Sequence, residues 1–101
     1  GTALTTAKMM CENRQVFEQG PANSFELIPG CRGGDYQGAR IHSVRVPGVI
    51  SMQDCIFGAP GQLLTIRAES TNAECFFPGV AMALRKVQSL TGLTFGLDKL
   101  L

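Results

Sequence analysis

Over the first thirteen residues the apolar positions recur at helical spacing. Ala3, Leu4, Ala7, Met10 and Cys11 share one stripe, and Thr5, Thr6, Lys8, Glu12 and Asn13 take the other side. This predicts a helix that fades after Asn13, with Thr2 placed to cap its N-terminus. Periodicity is then lost over residues 12–40, where Gly20-Pro21, Pro29-Gly30 and Gly33-Gly34 punctuate the chain. Within that stretch only residues 25–28 are apolar enough for a brief strand, and poor order is expected over residues 32–38. Irregular segments of this length are uncommon in compact domains, and often are functional or lie against a partner.

A β-rich region follows. Residues 41–46, 49–57 and 62–67 are dense in apolar and β-branched side chains. Pro47-Gly48 separates the first two runs, and Gly58-Ala59-Pro60-Gly61 the second and third. Connections this short join antiparallel neighbours, which predicts a three-stranded meander. Thr71 or Asn72 can begin the turn into a second helix, and Pro78 suits a first helical turn, where a missing N–H costs nothing. Val80, Ala83, Leu84, Val87 and Leu90 form its apolar stripe, Arg85, Lys86 and Gln88 face outward, and Gly92 is a natural stop. The tail from residue 93 to 101 carries one more apolar segment, a short strand and turn. The expected class is α+β: an antiparallel or mixed sheet meander flanked by two helices, with one sheet face covered.

The 101 residues fit one domain. With 45% hydrophobic and only 17% charged residues, much of the apolar surface is expected to meet another domain or subunit. The net charge of +1 predicts neither a nucleic-acid footprint nor polybasic membrane attachment. No apolar run has the length of a transmembrane segment, and the opening residues do not read as a signal peptide. A chain that opens Gly1-Thr2-Ala3 without methionine is expected to be a fragment, a processed product or the ordered part of something longer. Cys11, Cys31, Cys55 and Cys75 include no Cys-x-x-Cys pair, and His42 is the lone histidine, which argues against a closed zinc site. The cysteines read as free thiols of a reducing compartment. Arg45 and Arg67, on neighbouring strands, are placed to pair with Asp54 or Glu69.

Several motifs, in order, resemble those of the 4-hydroxy-tetrahydrodipicolinate reductase (dihydrodipicolinate reductase) family. Gly1-Thr2-Ala3-Leu4 is similar to the end of its Asp-Ala-Pro-Ser-Gly-Thr-Ala motif, which opens a helix. Ile41-His42-Ser43-Val44-Arg45 with Pro47-Gly48 resembles its first strand after the long loop. Gln53-Asp54-Cys55-Ile56-Phe57-Gly58 and residues 60–67 resemble the hairpin that follows. Pro78-Gly79-Val80 and residues 92–97 resemble the last helix and the C-terminus. The match spans essentially the whole chain and is nearest to bacterial and plastid-type members.

The resemblance implies a two-domain enzyme, in which a Rossmann domain holds NADH or NADPH and a second domain holds the substrate and pairs subunits into tetramers. Residues 1–101 would be that C-terminal substrate-binding and oligomerisation domain, incomplete at its N-terminus and without the Rossmann domain. Gly30-Cys31-Arg32-Gly33-Gly34 has neither the spacing nor the flanks of a nucleotide loop, so no cofactor-binding residue is expected in this chain. Gly1 and Thr2 match positions whose backbone cradles a substrate carboxylate; the plainer role for Thr2 is a helix cap. The family's histidine pair and lysine lie upstream of Gly1, so the chain carries no catalytic and no metal-binding residue, and His42 reads as a hydrogen-bonded structural side chain.

Three positions depart from the family pattern. Met52 and Ala68 stand where relatives usually carry histidine, and Ala73 where they carry arginine. They open a second reading, a non-catalytic reductase-like interaction or assembly subunit of a larger complex, such as a plastid photosynthetic one. Expected partners are the chain's own N-terminal domain, further copies or other subunits, in the bacterial cytoplasm or the plastid stroma.

Overall fold

The computed structural model describes residues 1–15 and 25–101, which form two compact units, Gly1–Val46 and Pro47–Leu101. Gly20-Pro21 lies outside the described residues.

The first unit is a helix packed on a hairpin. Helix α1 spans Thr2–Glu12. Its cap is Gly1 and not the expected Thr2, whose side chain makes no capping bond. Gly1 holds the half-in position without a side-chain acceptor, and its carbonyl accepts from the N–H of Leu4 at 3.1 Å and of Thr5 at 3.3 Å. At the other end Asn13 closes the helix, donating from Nδ2 to the Met9 carbonyl at 2.8 Å.

Strands β1, Gly34–Tyr36, and β2, Ala39–Ile41, pair antiparallel from Gly34↔Ile41 to Tyr36↔Ala39. They are joined by Gln37 (φ 50°) and Gly38 (φ 83°). Two successive positive φ values mark a mirror-image turn, whose twist matches that of the strands. The Asp35 carboxylate accepts from the Gly38 N–H at 3.3 Å and steadies the turn. A defined hairpin thus replaces the poor order expected over residues 32–38. No strand forms at residues 25–28, which run into a turn. Small side chains let α1 approach this hairpin: Ala7 is 4% and Ala39 7% exposed. The Cys11 thiol adds a weak bond to the Tyr36 carbonyl at 3.6 Å.

The second unit is built on β3, Ser51–Ala59, and β4, Gln62–Ser70, paired antiparallel from Ser51↔Ser70 to Ala59↔Gln62. Gly61, at φ 73°, supplies the left-handed residue of the tight connection. The third strand of the expected meander does not form. Ile41 is taken by pairing with Gly34, and residues 42–46 have no regular structure. The α+β class stands, with antiparallel strands and two helices, but the strands make two separate pairs.

Beyond β4, Asn72 accepts from the Glu74 N–H at 2.8 Å and caps a short 3-10 helix, Ala73–Phe76. Helix α2, Phe77–Lys86, follows with Pro78 in its first turn, as its sequence predicts. The tail forms a 3-10 turn, Leu97–Leu100, where a strand was expected, and it folds back onto α2. Leu97 packs so closely that a Cβ on Gly79 would meet its Cδ1 at 2.8 Å. Lys86 Nζ donates to the Leu100 carbonyl, and Leu100 is buried. The covered face of α2 therefore runs along Gly79 and Lys86. The expected core stripe is open instead: Val80, Leu84 and Val87 are 53%, 68% and 56% exposed.

Candidate functional site

Gly1 and Thr2 lie together at the exposed start of α1. Helix geometry leaves the first N–H groups without intrahelical acceptors, and the first one engaged on Gly1 is that of Leu4. No acidic side chain occupies the first turn, and the Thr2 hydroxyl is not used as a cap. Among the described residues the helix start thus presents free N–H donors, the positive end of the dipole and an uncommitted hydroxyl, a combination that favours a carboxylate.

His42 sits just past β2, exposed, and its Cε1 would stand 3.0 Å from a Cβ on Gly33. The structural hydrogen bond expected of it is absent among the described residues. The four cysteines are unpaired, Cys11 and Cys55 half-buried, Cys31 and Cys75 exposed. Among the described residues no group of three or more His, Cys, Asp or Glu could hold a metal ion. No helix among the described residues is long and apolar enough to cross a membrane.

The three positions expected to depart from the family pattern lie at one end of the long hairpin. Met52 pairs with Glu69 and Gln53 with Ala68, at the Ser51–Ser70 end of the hairpin, and Ala73 opens the 3-10 helix that follows. Because opposed residues share a face, Met52, Asp54, Arg67 and Glu69 lie on one side and Gln53, Cys55, Ile66 and Ala68 on the other. Arg67 grips Asp54 with both ends of its fork, Nε to Oδ1 at 2.7 Å and Nη2 to Oδ2 at 2.6 Å. Hydrogen bonding to that guanidinium holds the Asp54 carboxyl below its ordinary value and raises Arg67. Of the two expected pairs this is the one that forms. Arg45 lies outside any strand and donates to the Val44 carbonyl at 2.9 Å.

Among the described residues both faces of the β3–β4 hairpin leave large apolar side chains open: Ile56 and Leu63 on one side are 61% and 71% exposed, Leu64 and Ile66 on the other 57% each. A two-stranded hairpin is marginal in water unless something packs on it.

The glycine-rich stretch at residues 30–34 does not fit a nucleotide phosphate. It leads into a hairpin and not from a strand into a helix, and the Glu26 carboxylate already accepts from the Gly30 and Arg32 N–H groups, at 2.6 and 2.9 Å. Glu26 carried no signal of periodicity or motif; only its position four residues before Gly30 hints at a turn-closing carboxylate.

The whole chain, residues 1–101, matches the family described as "Dihydrodipicolinate reductase, C-terminus". A 4-hydroxy-tetrahydrodipicolinate reductase of Listeria innocua is 52% identical over 101 residues, all of this chain and 38% of the relative. One from Synechococcus elongatus is 46% identical over 102 residues, all of this chain and 37% of the relative. The structure is similar to a dipicolinate-bound dihydrodipicolinate reductase from Paenisporosarcina sp. TG-14, with a TM-score of 0.82 and 42% identity, over all of this chain and 38% of that one. Two antiparallel strand pairs and two helices make the chain α+β. The chain belongs to the dihydrodipicolinate reductase family and corresponds to its C-terminal part. It spans about two-fifths of the length of these relatives.

Proposed function

We propose that this chain is the substrate-binding and oligomerising C-terminal domain of an NAD(P)H-dependent 4-hydroxy-tetrahydrodipicolinate reductase of lysine and diaminopimelate biosynthesis. The observation that carries the reading is the start of α1, where Gly1 and Thr2 present unpaired N–H groups and a hydroxyl with no competing acidic side chain. A dicarboxylate would place one carboxylate there, and the dipicolinate held by the Paenisporosarcina relative is such a molecule. Hydride would come from the nicotinamide cofactor, held by a separate N-terminal domain. The residues of this chain bind and orient the substrate and supply no proton. The open faces of β3–β4 would be covered by that domain and by other copies of the chain, in a bacterial cytoplasm. The test is NADPH and NADH oxidation by the full-length protein with freshly generated dihydrodipicolinate substrate; turnover supports the reading, and its absence with a folded, dipicolinate-binding protein overturns the catalytic part.

The second reading, a reductase-like assembly subunit without activity, is favoured by the gathering of Met52, Ala68 and Ala73 at one end of the hairpin. The triple change Met52→His, Ala68→His, Ala73→Arg separates the two. Under the second reading it raises turnover from background, whereas an enzyme that already turns over shows little gain.

A further inference from the structure

The turn spanning residues 26–33 is organised by one side chain. Glu26 Oε2 accepts from the Gly30 N–H at 2.6 Å and Oε1 from the Arg32 N–H at 2.9 Å, so each oxygen holds one backbone amide. Two backbone bonds complete the fold-back, Cys31 N–H to the Ile28 carbonyl at 3.1 Å and Gly33 N–H to the Gly30 carbonyl at 2.9 Å. Gly30 and Gly33, at φ 84° and 73°, provide the left-handed bends. At Gly33 no other residue fits, since a Cβ would lie 2.5 Å from the Ile41 carbonyl oxygen. The turn keeps Phe25, Leu27 and Ile28 on the outside, 75%, 88% and 71% exposed.

We propose that Glu26 is a latch: its carboxylate fills a nest of backbone amides with an internal anion, and its seating fixes the path of the chain that displays Phe25, Leu27 and Ile28. Amides aligned in this way form an anion-binding concavity, and an anchored carboxylate fills it without the entropy loss of capturing a free ion. Among the described residues the charged groups around it are Arg32 in the turn and Arg40 on β2; Arg40 is shared with Asp35 at 3.6 Å. Both arginines favour the ionised carboxylate, and the amide bonds hold the Glu26 carboxyl below its ordinary value. The latch is therefore shut at neutral pH. It opens as pH falls through that lowered value, where the proton removes one acceptor.

Hydrogen exchange of the full-length protein, followed on the peptide covering residues 25–33, tests this. At neutral pH Glu26→Gln is expected to speed exchange there about fivefold, as a charged acceptor becomes a neutral amide. Glu12→Gln on α1, an exposed acid outside the turn, is expected to leave the peptide unchanged. After correction for intrinsic rates, the natural protein loses protection on acidification while Glu26→Gln shows no such step. Equal exchange in the natural protein and Glu26→Gln, or the same acid step in both, would overturn the latch.

Discussion

The two hairpins of this chain are stabilised in different ways. The short one, β1–β2, is closed by its own sequence: a mirror-image turn at Gln37-Gly38, an aspartate bracing it, and a helix that approaches through Ala7 and Ala39. The long one, β3–β4, has nine residues in each strand and a bidentate Arg67–Asp54 pair, yet leaves apolar side chains open on both faces. Small residues in the right places complete a three-residue strand pair locally. Large apolar residues on a longer pair stay in water unless something else packs on them.

The contrast breaks most visibly at the long hairpin. If its faces are covered in the full-length protein, Ile66→Glu should dissociate the assembly, read by sedimentation velocity. If Ile66 stays in water as it stands here, the change shifts stability by less than about 0.5 kcal/mol and leaves the mass unaltered. In the first unit, Ala7→Leu overfills a closed contact and should cost about 1–3 kcal/mol, read from the denaturant midpoint. Gly38→Val forces a β-branched residue to positive φ and should cost about 1–2 kcal/mol by the same measurement. The smallest effect belongs to Asp54→Asn, because the ion pair is exposed. Its sign is set by the depressed carboxyl: the contribution is present above the unfolded aspartate value, about 3.9, and is lost as pH falls through the lower folded value. The natural protein and Asp54→Asn should therefore converge in stability below that range.

Much of this was legible in sequence. The period of α1, Pro78 in the first turn of α2, a turn into that helix begun at Thr71 or Asn72 and the residues of β3 and β4 are local signals, and each appears in the fold, Asn72 as the cap of the 3-10 helix. Residues whose role depends on distant partners were not legible. The stripe of Val80, Leu84 and Val87 has the helical spacing of a core face, yet the tail packs elsewhere, because Gly79 offers Leu97 a closer seat. Ile41 was drawn into a longer strand by its apolar neighbours, although a three-residue pair with Gly34 claims it. At the candidate site the position of Gly1 and Thr2 at a helix start was legible, but the division of labour was reversed. Gly1 caps the helix and Thr2 keeps its hydroxyl free.

That free hydroxyl allows a direct test. If the start of α1 receives a carboxylate, calorimetric titration of dipicolinate into the full-length protein should detect binding. Thr2→Val keeps the shape and removes only the hydroxyl, and should weaken that binding about tenfold while thermal stability changes little, since the side chain makes no cap bond. Equal affinity in the two proteins would contradict the placement of the substrate carboxylate at Gly1 and Thr2.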